Sequence, residues 1–350
     1  MNGRTPRSPA ARPARATIDD VARAADVSKA TVSRALSGAA YVRSETRERV
    51  VAAAEALDFR PSPTAQSLTT GRSMMIGIVV SDLEIPFFTT VARGIQNAAQ
   101  GHGYLTLVGN SDERERTEDE LVDAFMARMV DGLIITPSAT PNSRLREVAG
   151  VIPLVLVDRL VPGLDADAVL SDNHAGARAA TEHLLALGHR RIAYVTDEPD
   201  KTSTAERLAG FRAAMAEGGG DGDRVWVVDY HALAAEAAIR ERLEAERPTA
   251  LLASEGSITL GALRAIHDLG WRVPEDISLI GFDQLDWGTA TTPPITVVSQ
   301  DAEEIGARAA ALLLRRLRKG RRSGTSAAPA VERVPTELVL RASTAAPRAD

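Results

Sequence analysis

Cysteine is absent from all 350 residues, which excludes a disulfide framework and any thiolate nucleophile. Aromatic residues make up only 4% of the chain, so any place where they gather is informative. No run approaches the roughly 18 apolar residues of a membrane span. The opening MNGRTPRSPAARPARA is rich in Arg and Pro and has no apolar core, unlike a secretory signal. A cytoplasmic protein without a membrane partner is expected, with residues 1–16 a disordered tail. The patterns GxxxxGK[ST], HExxH and GxSxG are also missing, so neither an enzyme nor a metal or other cofactor is expected.

What is present is ordinary in amount and uneven in placement. The chain is 44% hydrophobic and 25% charged, as in soluble globular proteins, and its length suits two or three domains. Residues 1–72 hold 12 Lys/Arg against 7 Asp/Glu, a net of +5; the whole chain is at −6, so the remainder carries −11. A basic head on an acidic body points to a polyanion partner for the head alone.

The stretch VSKATVSRALSG (27–38) reads as a short helix. At 3.6 residues per turn, Lys29, Ala30, Ser33 and Arg34 share one face, and Val32, Ala35 and Leu36 the other. Ser28 is placed to cap its start and Gly38 to stop it. TIDDVARAAD (17–26) makes a second helix, with Thr17 and Asp20 in a capping-box arrangement, and Asp26-Val27 joins the two as in a helix-turn-helix. A third helix in SETRERVVAAAEALDF (44–59) presents Val50, Val51, Ala54 and Leu57. A minimal core is expected around Val21, Val32, Leu36, Val50 and Leu57. A plain helical bundle with a solvated face is the bland alternative, and the basic balance argues against it. Next comes RPSPTAQSLTTGRS (60–73), a linker by composition, yet Ser62-Pro63 is also a good helix start. Leu68 is its one large apolar residue and has no evident core to enter.

From Met74 onward, strand-like and helix-like runs alternate: strands at 75–80, 104–109, 132–137, 153–158, 192–196, 225–228, 250–254 and 278–282, with helices between most of them. Such a series gives parallel sheets covered by helices, and ligands then sit beyond the C-terminal ends of the strands. Phe87 and Phe88 lie just beyond the first strand, Asp158 ends the fourth, and Ser203, Arg207, Tyr230, Glu255, Asp283 and Trp287 lie beyond later ones. Aromatics for an apolar sugar face, with carboxylates and an Arg for hydroxyls, suit a carbohydrate. Phe88 reads equally as core; Tyr230 and Trp287 are open between the two roles. Asn173 reads as a helix start, His189 as the fixer of a helix–strand turn, and SDERERTEDE (111–120) as a solvated helix start.

TIDDVARAADVSKATVSRALSG, YVRSETRERV and RPSPTAQSLTTGRS resemble the DNA-binding head and hinge of the lactose-repressor (LacI/GalR) family. MMIGIVV, PFF, DNHAGARAATEHLLALGHRRIAYV, RLAGF, LGALRAI, VPEDISLIGFD and PPITVVSQ extend the resemblance through the body. It implies an all-α helix-turn-helix head (17–60), a hinge helix (61–73) and an α/β body (74–342). The body would have two doubly wound subdomains of the periplasmic-binding-protein kind, crossings near 159–164 and 284–294, and a tail at 343–350. It implies that helix 28–36 enters the major groove. Lys29 and Ala30 then choose the operator, Arg34 contacts base or phosphate, and Thr17, Ser28, Thr31 and Ser33 complete the candidate DNA contacts. Leu68 holds the position of a minor-groove wedge, and Arg207 and Asp283 hold effector-binding positions.

Three residues depart from the family pattern. Asp26 replaces a usual Gly, Pro61-Ser62-Pro63 replaces Pro-Asn, and Glu255 stands where Asn is common. The last change removes amide donors and adds a charge, which favours a polyhydroxy or cationic ligand over a standard hexose contact. The expected function is a homodimeric, sequence-specific repressor that binds a pseudo-palindromic DNA operator under control of a small sugar-like effector. The alternative is a solute-binding protein of periplasmic type.

Overall fold

The computed structural model describes residues 16–36, 41–60, 71–138, 143–220, 222, 224–284, 286–319 and 328–348. The expected tail before Ala16, Gly38 and the hinge segment with Leu68 lie outside them. The chain divides into two units at Ser73 and Met74.

In the head, α1 (Ile18–Ala24), α2 (Lys29–Leu36) and α3 (Ser44–Ala56) form as the caps predict. Thr17 N–H donates to Asp20 Oδ2 at 2.9 Å while Asp20 N–H donates to Thr17 Oγ1 at 3.4 Å. Thr31 N–H donates to Ser28 Oγ at 3.1 Å. Asp26 turns the chain with φ 51°, the left-handed region that a short polar side chain tolerates. Val21, Val32 and Val50 are fully buried among Ala22, Ala25, Ala35 and Ala54. These small residues let three short helices approach closely. Leu57 was expected in this core and Val51 on the buried face of the third helix, but they are 37% and 38% exposed. α3 ends at Ala56, so Leu57 leaves the buried face, and Phe59 packs there with its N–H donating to Ala54 O.

The body holds two six-stranded sheets. The first contains β1 (Met75–Val80), β2 (Leu105–Asn110), β3 (Gly132–Ile135), β4 (Leu154–Val157), β5 (Asp167–Ser171) and β11 (Val331–Val334), in the order β11-β5-β4-β3-β1-β2. The second contains β6 (Ile192–Thr196), β7 (Val225–Val227), β8 (Ala250–Ala253), β9 (Ser278–Phe282), β10 (Thr296–Gln300) and β12 (Thr336–Val339), in the order β12-β10-β9-β8-β6-β7. All pairings are parallel except β10 with β12. GLII and LVLV are buried at every residue because helices cover both faces of a parallel sheet.

The helices that matter to the cleft are α4 (Pro86–Gln100), α5 (Glu115–Ala127), α7 (Asn173–Ala186), α8 (Thr202–Glu217), α9 (Ala232–Glu246), α10 (Gly256–Asp268) and α12 (Ala302–Lys319); α6 (Ser143–Ala149) and the short α11 (Asp286–Thr289) complete the set among the described residues. α12 packs on α4 with their backbones touching. A Cβ at Gly94 would stand 2.4 Å from Glu303 O, and one at Gly306 would stand 2.2 Å from Val91 O. Only glycine fits at either point.

The crossings fall later than 159–164 and 284–294. DAVLS pairs with β4, so the chain leaves the first sheet at 171–173. TVVSQ pairs with β9, so it leaves the second at 300–302. No helix separates β4 from β5, and that broken rhythm hid the extra strand. The segment 331–339 is divided at Pro335 between β11 in one sheet and β12 in the other, a third crossing. Residues 343–347 are not a free tail either. Ser343 is buried, accepts from Thr296 N–H at 2.8 Å and donates to Leu279 O at 2.6 Å. Ala345 O accepts from His189 Nε2 at 2.8 Å. Buried polar groups at the sheet edge need these partners. His189 therefore fixes its turn, as expected, and also anchors the C-terminal segment.

Candidate DNA-recognition face and effector cleft

Helix α2 turns Val32 and Ala35 inward and leaves Lys29, Ala30 and Arg34 exposed, with Thr31 and Ser33 half-buried. Thr17 and Ser28 are exposed and also serve as caps. Lys29 Nζ lies 2.6 Å from Asp19 Oδ1, both well exposed. An ion pair of this kind is typically worth about 0–1 kcal/mol, so Asp19 holds Lys29 only weakly. Arg34 Nε donates to Ala30 O at 3.1 Å, which lays the guanidinium back along its own helix.

In the body a cleft lies between the two sheets at the C-terminal ends of their strands. The first subdomain lines it with Ile85, Phe87, Phe88, Asp158 and Arg159; the second with Asp197, Ser203, Thr204, Arg207, Ser254, Glu255, Asp283 and Gln300. Phe87 and Phe88 meet edge to face, with ring centroids 5.1 Å apart. Both belong to the core of the first subdomain and both border the cleft. Phe88 is thus a core residue, and it also borders the cleft.

Arg207 is the centre of the polar wall. Its Nε donates to Asn173 Oδ1 at 2.7 Å, Nη1 to Ser254 O at 2.6 Å and Nη2 to Gln300 Oε1 at 3.3 Å. Its guanidinium lies 4.1 Å from the centre of the Phe282 ring. Asn173 and Gln300 are the residues at the first two crossings, so one buried cation ties both connecting strands together. Asn173 is thus a partner of Arg207; the cap of α7 is Asp172, whose carboxylate accepts from Ala175 N–H. Gln300 also donates to Asp283, which takes Gly256 N–H at 3.1 Å. Burial pushes the Asp283 carboxyl above its ordinary value despite Arg207 and Gln300.

A second cluster bridges the two walls. Arg159 grips Glu113 through two bonds of 2.8 and 2.7 Å. Lys201 Nζ lies 2.8 Å from Asp197 Oδ2 and 3.6 Å from Glu113 Oε1. Burial pulls Glu113 up, but the Arg159 fork and the Lys201 charge outweigh it and hold the carboxyl below its usual range. Leu160 N–H donates to Thr202 Oγ1 at 2.9 Å and Ser203 Oγ to Asp158 Oδ2 at 3.4 Å, both across the cleft. The run 111–120 is therefore not simply a solvated helix start: Glu113 is buried here, and Glu118 is fully buried with Ser138 as its partner.

Two of the nine candidate residues do not line the cleft. Trp287 packs into the core of the second subdomain. Tyr230 packs against the core of the first from its place beyond β7, 5.6 Å beneath Lys201 Nζ. Burial, with Asp82 and Glu113 nearby, pushes its hydroxyl up to about 12. Arg159, Asp197, Thr204, Ser254 and Gln300 were missed in the sequence. Arg159 and Asp197 directly follow expected strand ends, so the strand-end rule reaches them; Gln300 needed the strand β10 to be recognised first.

Residues 17–62 match the family described as bacterial regulatory proteins, lacI family, and residues 181–344 match a periplasmic binding protein-like domain. The ribose operon repressor of Halalkalibacterium halodurans is 36% identical over 87% of this chain and 91% of its own. The crystal structure of the Lac repressor dimer bound to operator and the anti-inducer ONPF superposes with a TM-score of 0.84 at 27% identity, over 95% of this chain and 99% of that one. A LacI family transcriptional regulator from Enterococcus faecium with bound ribose gives 0.70 at 28% identity, over 78% of this chain and 100% of that one.

The chain belongs to the LacI family. Its head is the family's helix-turn-helix and its body the periplasmic-binding-protein-like fold. LacI-family members are transcriptional repressors, not enzymes. The basic head has no place in the solute-transport alternative.

Proposed function

We propose that this LacI-family chain is a dimeric repressor that binds a pseudo-palindromic operator, that it works in the cytoplasm, and that a small sugar-like molecule in the cleft sets its affinity for DNA. The observation that carries this reading is Arg207, which faces the cleft while bonded to residues at two of the three crossings. A ligand that competes for its hydrogen bonds changes the relative stability of the subdomain arrangements. An effector acts only through such differential affinity. The relative named for the ribose operon and the ribose-bound E. faecium regulator support a sugar class. The two phenylalanines supply the apolar wall that a sugar face needs.

On the DNA side, α2 lies in the major groove, with Lys29 and Ala30 setting base preference and Arg34 at base or phosphate. Thr17, Ser28, Thr31 and Ser33 hold the backbone register, and Leu68 acts as the minor-groove wedge. Arg pairs bidentately with guanine, while Ala offers only apolar contact, chiefly to a thymine methyl. A wedge costs a few kcal/mol of unstacking and gives a bent duplex that meets more protein surface.

The test is selection from a random duplex library by the full-length protein, with and without a sugar panel. A palindrome whose affinity changes with one sugar is the expected outcome. No sequence preference under any condition sinks the reading. Leu68→Ala is expected to weaken operator binding by about tenfold or more, as the loss of a few kcal/mol of wedge contact implies; unchanged affinity removes the wedge.

A further inference from the structure

Among the described residues, each charged side chain that lines the cleft has a partner except one. Asp158 takes Ser203 and lies 3.2 Å from Arg159 Nε. Asp197 takes Lys201 and Thr204, Glu113 takes Arg159, and Asp283 takes Gln300 and Gly256 N–H. Arg207 spends its donors on Asn173, Ser254 O and Gln300. Glu255, beyond β8 at the start of α10, lines the cleft, yet its carboxyl makes no hydrogen bond or ion pair with any described residue, and its Oε1 is buried. A second group in this cluster is also unmet. Asn173 is fully buried with its Oδ1 on Arg207 and its Nδ2 without an acceptor.

The charge inventory sharpens what the missing partner is. Glu113, Asp158, Asp197, Glu255 and Asp283 face Arg159, Lys201 and Arg207, five acids against three bases. Arg159 and Lys201 are shared among Glu113, Asp158 and Asp197. For Glu255 and Asp283 the nearby cations are Arg207 and, for Glu255, the already shared Lys201, and neither reaches them within ion-pair distance. A buried carboxyl left without a partner is costly, and a neutral hydroxyl satisfies its hydrogen bond without relieving the acid excess. A ligand ammonium does both. Phe87 and Phe88 on the facing wall accept the apolar side of a ring.

We propose that Glu255 makes the effector a cationic sugar derivative, an amino sugar whose ammonium is held by the Glu255 carboxylate. This rests on the reading of the cleft as the effector site. In a neutral-sugar regulator an amide at this position offers both a donor and an acceptor; a carboxylate only accepts. The exchange of Asn for Glu therefore turns selection from hydroxyl pattern towards charge.

The experiment is calorimetric titration of the full-length protein with glucosamine, galactosamine, mannosamine and a set of 1-amino-1-deoxyalditols. Each is paired with its neutral parent and, for the hexoses, its N-acetyl form, which keeps the shape and removes the charge. One amine is expected to bind about tenfold or more tighter than its neutral parent, a difference of about 1.4 kcal/mol or more. Glu255→Gln is expected to erase that preference and Glu255→Asp to restore part of it, with the fold of each variant checked by circular dichroism. A neutral parent that binds as well as its amine overturns the proposal, as does a preference that survives in Glu255→Gln. If a neutral sugar binds at least as well as its amine and also shifts operator affinity, the amine proposal falls while the effector reading stands. If no amine and no neutral sugar binds at millimolar concentration, both fall.

Discussion

At the end of its fourth strand the first subdomain carries Asp158 with φ 68°, and at the end of its fourth strand the second carries Asp283 with φ 74°. The two sheets repeat one strand order, and each aspartate turns the chain through the left-handed region at the rim of the same cleft. Their surroundings differ. Asp158 lies beside a guanidinium and reaches across to Ser203. Asp283 accepts a backbone N–H and a Gln amide, and burial keeps its carboxyl above the ordinary range. Repetition of a fold fixes where an aspartate can stand. The neighbours decide whether it closes the cleft or recognises something in it. On this reading the first wall gives shape and closure, and the second gives chemistry.

The largest effect expected from this division is on the shaping wall. Phe88 is 4% exposed within the first core, so Phe88→Ala should cost about 3–5 kcal/mol of body stability, the range for deleting a buried aromatic. Urea unfolding of the body measures it. A loss below about 1 kcal/mol would mean the wall is not part of the core and the comparison is misdrawn.

On the recognising wall the effect should fall on binding. Arg207→Ala removes a charged group with three hydrogen bonds, each typically worth about 1.5–3 kcal/mol. Effector affinity should drop by about a hundredfold or more while unliganded protein still binds its operator. A variant that responds normally takes Arg207 out of the site.

These two residues also show how far the sequence could be read. RLAGF and PFF placed Arg207 and Phe88 at the cleft because strand-end position and the family resemblance agree. Trp287 satisfied the strand-end rule equally well and packs, half-buried, against the core of the second subdomain instead. The rule gives the level of a residue along the sheet and says nothing of which way its side chain turns. Gln300 and Asn173 escaped because they sit at crossings, and crossings depend on which sheet a five-residue strand joins. DAVLS and TVVSQ carry no local mark of that choice. Lys201 and Glu113 meet across the cleft from 88 residues apart in sequence, a pairing that no local pattern contains.

Acid and base should separate the two walls further. Burial, then the Asp197 and Asp283 charges, push the Glu255 carboxyl well above 4.5, with Lys201 and Arg207 opposing them. A group whose folded pKa is raised binds more protons folded than unfolded. Its contribution is complete below its unfolded value and is lost as pH rises through the folded one. Relative to Glu255→Gln, the wild-type melting temperature should therefore fall between pH 5 and pH 8, by about 2 °C or more if about 1 kcal/mol is involved. Parallel curves for the two proteins would show that its surroundings do not raise the Glu255 carboxyl.

The smallest effect tests whether the walls are joined by anything beyond their crossings and the cleft cluster. Arg333, on β11 of the first sheet, forks onto Glu206, on α8 of the second subdomain, at 2.9 and 2.6 Å. The pair is partly exposed, 42% and 25% by side chain, so after screening it should contribute no more than about 1 kcal/mol. Glu206→Gln is expected to leave stability within that limit. It should still shift effector affinity by a few-fold, because the pair joins the two sheets and exists only in arrangements that keep β11 beside α8. The effect should also shrink in high salt, as an exposed pair requires. A loss that salt does not reduce would mean that Glu206 acts through packing on α8, three residues from the cleft-lining Ser203 on the same helix side, and the two walls would then be coupled through the core of the second.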